Sequence, residues 1–461
     1  MAVTVNTAIR TSKRILAIAG LIPACAGAGD WQVTPTLTLQ ERFSDNVALS
    51  ASNKESSFLT EVTPGLKLNS KGARGSVSVD YGLQGLLYSH DSDANALNHQ
   101  LTAALKSELV DDSFLLDANA RIGQQATSQV SGVVGVGNYN TGVNRTETRS
   151  ASIAPSWRGR IGSTAHWDAR WQLTYAGSDN NTLGDTIGND LSFSLKSGTA
   201  FNQVPWSLSL RSQKNDGNAT ASRTSSISGT VGYIFTAKTR LNLTLGVDDN
   251  NGSTSTANDA SGGYWNLGLT WTPTPRTNLT ASAGRRYNGN SYGLNFLHRT
   301  RMTTWGLNYN ESLSDTFSQI TGTSAFGQLL PTTQLVNDTT LNKTLSGTAT
   351  YQTGKSTFSA NINRVKRELL TAGTSDDTYS LGGNWTLRLN PRMSSALSIN
   401  SSHAETGASK SDDWTLAWIL TRTLSKSATG ALEARRLERG SDSTTGAYKE
   451  NALSARLNMS F

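Results

Sequence analysis

Arginines and lysines placed at every second position of apolar segments are the residues of this chain best suited to chemistry. Arg170 lies among Trp167, Ala169, Trp171, Leu173 and Tyr175, and Arg388 sits between Leu387 and Leu389. The same alternation singles out Lys106, Arg121, Arg158, Arg160, Lys196, Arg211, Arg240, Arg286 and Arg456, with fewer acids: Asp80, Glu108, Asp117, Asp168 and Asp248. A period of two sends neighbours to opposite faces of a β-strand, so these charges share one face and the apolar residues share the other. A wall richer in cations favours anionic solutes electrostatically. The competing reading is that the charges pair across strands and hydrate the wall.

Other chemistry has little support. His90, His99, His166, His298 and His403 are scattered, with no spacing that would bring imidazoles together on a metal. Asp91-Ser92-Asp93-Ala94-Asn95 resembles the opening of a calcium loop, but the required glycine and closing glutamate are missing, so it reads as a solvated loop. No serine occupies a recognisable nucleophile setting. The expectation is a protein with no catalytic residues, no cofactor and no metal.

The elements that must carry the charged face are strands of about ten residues. Leu241, Leu243, Leu245 and Val247 alternate with Asn242, Thr244, Gly246 and Asp248. Tyr379, Leu381, Gly383, Trp385, Leu387 and Leu389 alternate with Ser380, Gly382, Asn384, Thr386 and Arg388. The chain ends the same way, with Leu453, Ala455, Leu457, Met459 and Phe461 apolar and Ser454, Arg456, Asn458 and Ser460 polar between them. Short turns such as Lys71-Gly72-Ala73-Arg74, Thr353-Gly354-Lys355-Ser356 and Leu389-Asn390-Pro391-Arg392 alternate with long polar connections, the longest being 126–148, 250–262 and 315–341.

Apart from the N-terminus, no apolar run approaches the ~18 residues of a membrane helix. Low hydropathy is compatible with a membrane barrel, because only alternate residues face lipid. The fold expected is an all-β transmembrane antiparallel β-barrel of about 22 strands (roughly 18 to 24), with no plug domain. Residues 1–28 read as a secretory signal and 29–461 as the barrel: Arg10, Lys13 and Arg14 precede an apolar stretch, and Ala26-Gly27-Ala28 is a small-residue cleavage site. The one cysteine, Cys25, falls in the removed segment, leaving no disulfide; lipidation at Cys25 is the rival reading. The net charge of +7 shrinks by three with the signal, too mild and scattered for nucleic acid. A bacterial outer-membrane location follows, with lipid and the barrel assembly machinery as partners. The long connections 126–148 and 315–341 are the candidates to fold into the lumen.

Three stretches resemble a family of outer-membrane β-barrels associated with the PEP-CTERM/exosortase system and its exopolysaccharide gene clusters. They are Leu39-Gln40-Glu41-Arg42-Phe43-Ser44-Asp45-Asn46-Val47, Glu61-Val62-Thr63-Pro64-Gly65, and Tyr292 through Trp305, which contains the basic turn Arg299-Thr300-Arg301. The resemblance implies a role beside polysaccharide synthesis and export, with exopolysaccharide and periplasmic export components as partners, and implies no catalytic residues. The expected function is passage or support of exopolysaccharide export. The alternatives are a diffusion porin for small anionic solutes and a non-conducting structural or adhesion barrel.

Overall fold

In the computed structural model the described residues are 30–126, 139–141, 145–179, 184–217, 221–252, 260–321, 338–407, 409–442 and 446–461. The expected signal segment, with Cys25, and much of the three longest connections lie outside them.

Twenty-two strands form one closed antiparallel sheet. The first six are β1 (Asp30–Ser44), β2 (Ser57–Lys71), β3 (Gly75–Tyr88), β4 (Ala96–Val110), β5 (Phe114–Ala126) and β6 (Arg145–Ile161). Next come β7 (Ala165–Ser178), β8 (Thr186–Ser197), β9 (Trp206–Gly217), β10 (Ser222–Thr236), β11 (Thr239–Gly252) and β12 (Gly262–Thr274). A short pair follows, β13 (Thr277–Arg286) and β14 (Gly289–Arg299), then β15 (Thr303–Ser314), which leads into a short helix, α1 (Thr316–Thr321). The rest are β16 (Thr340–Gln352), β17 (Ser356–Leu369), β18 (Ser375–Asn390), β19 (Met393–Thr406), β20 (Ser409–Thr423), β21 (Ala428–Ser441) and β22 (Tyr448–Ser460).

Each strand pairs with its sequence neighbours, and β1 also pairs with β22, from Thr36↔Ser460 to Ser44↔Ala452, which closes the ring. Closure gives every strand two neighbours and leaves the sheet no terminal edge strand, as crossing a bilayer requires. Strands spaced ~4.8 Å apart and tilted ~40° give a backbone diameter of about 40 Å.

The outer face is apolar. Leu243, Leu245, Val247, Leu267, Leu381 and Ile399 stand open to the surroundings. Such a girdle would drive aggregation in water and is satisfied by acyl chains. Near the short turns it ends in aromatic rings: Tyr351 and Phe358 stack with centroids 6.2 Å apart, and Phe358 and Trp385 at 5.7 Å. Rings of this kind settle at the membrane interface. No helix among the described residues is long and apolar enough to cross a membrane, which says nothing about a barrel.

Two connections depart from the sequence reading. The short-turn-side connection between β8 and β9 is longer than the other turns on that rim, running 198–205 and including a single 3-10 turn at Thr199–Phe201. On the other rim, where connections are generally long, β13 and β14 are joined by Tyr287 and Asn288 alone, both at positive φ (54° and 58°). That geometry is the tight hairpin turn that matches strand twist, and its usual marker is glycine.

Candidate functional site in the lumen

Strand register defines the inner face. Ala176 and Gly188, on β7 and β8, touch Phe317 of the interior helix, so residues in phase with them point inward. Through the ladders, Lys106 faces Asp117 across β4 and β5, Arg158 faces Asp168 across β6 and β7, and His166 lies between Arg160 and Lys196. Arg170, Arg211, Arg240, Arg286, Arg388 and Arg456 fall on the same face of their strands, and Asp80, Glu108 and Asp248 lie with them. Arg121 lines a lumen recess with Thr38, Lys67, Asp80 and Asn458.

These charges fall into two groups. Arg170 pairs with Asp117 (2.9 Å), Arg286 with Asp248 (2.7 Å), Arg211 with Asp190, and Arg158 with Asp112 (3.2 Å). Arg240 donates to Asn242 (2.7 Å) and Arg456 to Gln40 (2.7 Å). By contrast Lys106, Arg121, Arg160, Lys196 and Arg388 are exposed and make no side-chain hydrogen bond or ion pair among the described residues. Lys106, Arg160 and Lys196 form an arc on β4 to β8 near the short-turn rim, and Arg388 on β18 stands on the far side of the ring. The C-terminal set faces out: Leu453 and Phe461 are 60% and 69% exposed, and Phe461 N–H donates to Pro35 O (2.9 Å).

Two segments of long connections enter the lumen. After β15, Asp315 accepts from Asn215 Nδ2 (2.7 Å) and Ser222 Oγ (2.6 Å) on β9 and β10. It also accepts from the Ser318 backbone N–H (2.8 Å), which caps the start of α1. The helix thus spans a chord of the lumen, and Phe317 and Ile320 bury against Ala176. Gly188 lacks the Cβ that would lie 2.4 Å from Phe317 Cζ, so glycine there admits the ring. The second segment is Tyr139 to Thr141. Thr141 N–H donates to Val47 O (3.1 Å), Tyr88 Oη donates to Tyr139 O (3.1 Å), and the Arg42 guanidinium lies 4.4 Å from the Tyr139 ring centroid.

Sequence reasoning did not find the charged cluster beneath that segment. Arg435 pairs with Glu450 (2.8 Å), with both side chains 1% exposed. Glu450 also accepts from Ser44 Oγ (2.7 Å) and Asn140 Nδ2 (3.0 Å). Arg42 lies 3.6 Å from Glu433. Glu61 accepts from Gln84 (3.1 Å) and Thr63 (2.9 Å). Burial, and then the neighbouring Glu61 carboxylate, push the Tyr139 phenol up. Arg42, Ser44 and Glu61 all belong to the short motifs noted above, so those motifs were the available signal. In the same stretch Asp45 accepts from the Asn451 backbone and side chain (2.7 Å each), and Asn46 Nδ2 donates to Ser50 O (2.8 Å) and Lys449 O (3.0 Å). The motif therefore clamps β1 to β22 at the seam. No group of histidine and acid residues placed to hold a metal occurs among the described residues.

No protein-family model and no curated protein matches the sequence. Solved structures do match in fold. The FrpB iron transporter from Neisseria meningitidis aligns at a TM-score of 0.56 and 11% identity, over 95% of this chain and 82% of that one. The siderophore receptor PirA from Pseudomonas aeruginosa aligns at 0.51 and 11%, over 93% and 80%. A mutant of the ferric enterobactin receptor PfeA from the same organism aligns at 0.54 and 11%, also over 93% and 80%. The shared property is a closed, large, antiparallel barrel. With its apolar outer belt, the protein is a barrel of the bacterial outer membrane.

The comparison corrects one expectation. The strand number agrees, but the matched receptors belong to a class that carries a plug domain, which overturns the assignment of a barrel without one. Width is the physical reason: wall side chains that fill an eight-stranded barrel cannot fill a lumen enclosed by twenty-two strands.

Proposed function

We propose that the protein is a gated passage across the outer membrane for polar, negatively charged solutes. The observation that carries this reading is the set Lys106, Arg121, Arg160, Lys196 and Arg388, exposed on the lumen wall without partners among the described residues. Cations already locked in pairs contribute little net field, whereas these five attract anions and hold them where the low-dielectric wall focuses the potential. Tyr139 to Thr141 and α1 supply the gating element, because both occupy the lumen and are held there by a few side-chain contacts. Exopolysaccharide export, implied by the short-motif resemblance, rests on that resemblance alone. An acidic polysaccharide belongs to the same solute class.

The test is conductance of the refolded protein in a planar bilayer under a salt gradient. Anion-selective steps are expected, and Arg160→Glu with Lys196→Glu should shift the reversal potential toward cation preference. A folded barrel whose reversal potential ignores that double substitution would sink the proposal.

A further inference from the structure

The wall itself has a weak seam, and this inference stands apart from axial passage. Strands β14 and β15 are joined through six register pairs only, Leu294↔Tyr309 to Arg299↔Thr304. Every other seam has more; the closing ladder between β1 and β22 has nine. The six pairs cover about 20 Å of strand, or roughly 15 Å of height once tilted, against an apolar band about 25 Å tall. Continuing the register would set Gly293 opposite Asn310, Ser291 opposite Ser312 and Gly289 opposite Ser314, yet these positions do not pair. Instead Gly289 to Gly293 stay with β13, and Asn310 to Ser314 stay with β16.

The cause lies in elements already described. The two-residue turn at Tyr287 and Asn288 makes β13 and β14 the shortest strands, while β15 runs on into α1, whose Asp315 is held by Asn215 and Ser222 farther round the wall. The upper end of β15 is therefore tied to β16 and, through Asp315, to β9 and β10, and not to β14. An apolar contact takes the place of the missing ladder: Leu313 packs with Ala260 and Leu341, and Tyr287 and Leu370 lie against them. Beside it, at headgroup level, is a polar cavity of about 610 Å³ lined by Asn288, Lys366, Glu368, Thr374 and Ser375.

We propose that the β14–β15 seam is a lateral door through which an amphipathic molecule moves between the lumen and the outer leaflet. Its polar head would use the Lys366 cavity, and its acyl chain would leave past Leu313. Side-chain contacts open without breaking backbone hydrogen bonds, so this is the one seam where a door is compatible with an intact barrel.

Lipid access tests it directly. A bimane fluorophore on Ser291→Cys, inside the lumen at the seam, is compared with one on Asn363→Cys, inside the lumen on fully paired β17. Both proteins are placed in phosphatidylcholine vesicles whose acyl chains carry a nitroxide quencher. At least twofold stronger quenching at Ser291→Cys is expected, and equal quenching overturns the proposal. If either variant fails to fold, amide exchange on the unmodified protein in the same lipid decides. Asn310 to Ser314 should exchange at least tenfold faster than Ser346 to Thr350, and matching rates would equally overturn it.

Discussion

Glu450 shows what a buried charge costs and what it holds. It receives Arg435, Ser44 and Asn140 at once, linking three strands of the seam to the inserted loop. Removing one member of a fully buried ion pair strands the other, at about 3–5 kcal/mol. Glu450→Gln should therefore lower the urea midpoint for unfolding from lipid with little change in slope, since the surface exposed is unchanged. Tyr139 adds a pH dependence. Its phenol is held above the ordinary tyrosine value when docked, so the docked state keeps its proton after the undocked state has lost it. The stabilisation is complete below a pH of about 10 and is lost as pH rises further. Conductance measured from neutral pH to beyond that point should rise as the segment releases, and Tyr139→Phe should abolish that rise. An unchanged alkaline response in Tyr139→Phe would remove Tyr139 from the gating account.

At the scale of elements, α1 is a single helical turn and a half, far too short to persist by backbone hydrogen bonds alone. Its place depends on the Asp315 anchor and on Phe317 seated over Gly188. Truncating a buried phenylalanine forfeits about 3–5 kcal/mol where the site cannot collapse, so Phe317→Ala should undock the helix and raise the open probability of single channels. Gly188→Val should do the same by another route, by filling the space the ring occupies. If both variants gate like the native protein, the helix is not the gate. Strands such as Leu241 to Val247 were legible because lipid on one side and water on the other impose a strict period of two. The turn at Tyr287 and Asn288 was not, because neither residue is glycine and the preceding connection invited a longer loop. The Arg435, Glu450 and Ser44 contact was equally out of reach: Ser44 and Glu450 are 406 residues apart, and only the closed ring brings them together. The free basic arc was legible as a face but not as a separate group, since pairing partners such as Asp117 and Asp190 depend on register.

For the whole molecule, charge placement outweighs net charge. The lumen locks Arg170, Arg211 and Arg286 to acids and leaves Lys106, Arg160, Lys196 and Arg388 free near the short-turn rim, so selectivity should reside with those four. Arg170→Gln, which also frees Asp117, should alter the reversal potential by less than Lys196→Gln, an equal change of charge, and should mainly reduce stability; the reverse order in salt-gradient recordings would show that the paired belt sets selectivity.

The clamp of Asp45 and Asn46 on Asn451 and Lys449 makes completion of the barrel a test of its own manufacture. β1 finds its second partner only when β22 is in place, so a chain without β22 presents an open edge with unanswered carbonyls and amides. Such an edge is a template for pairing with another chain, and the clamp removes it by tying the ring shut.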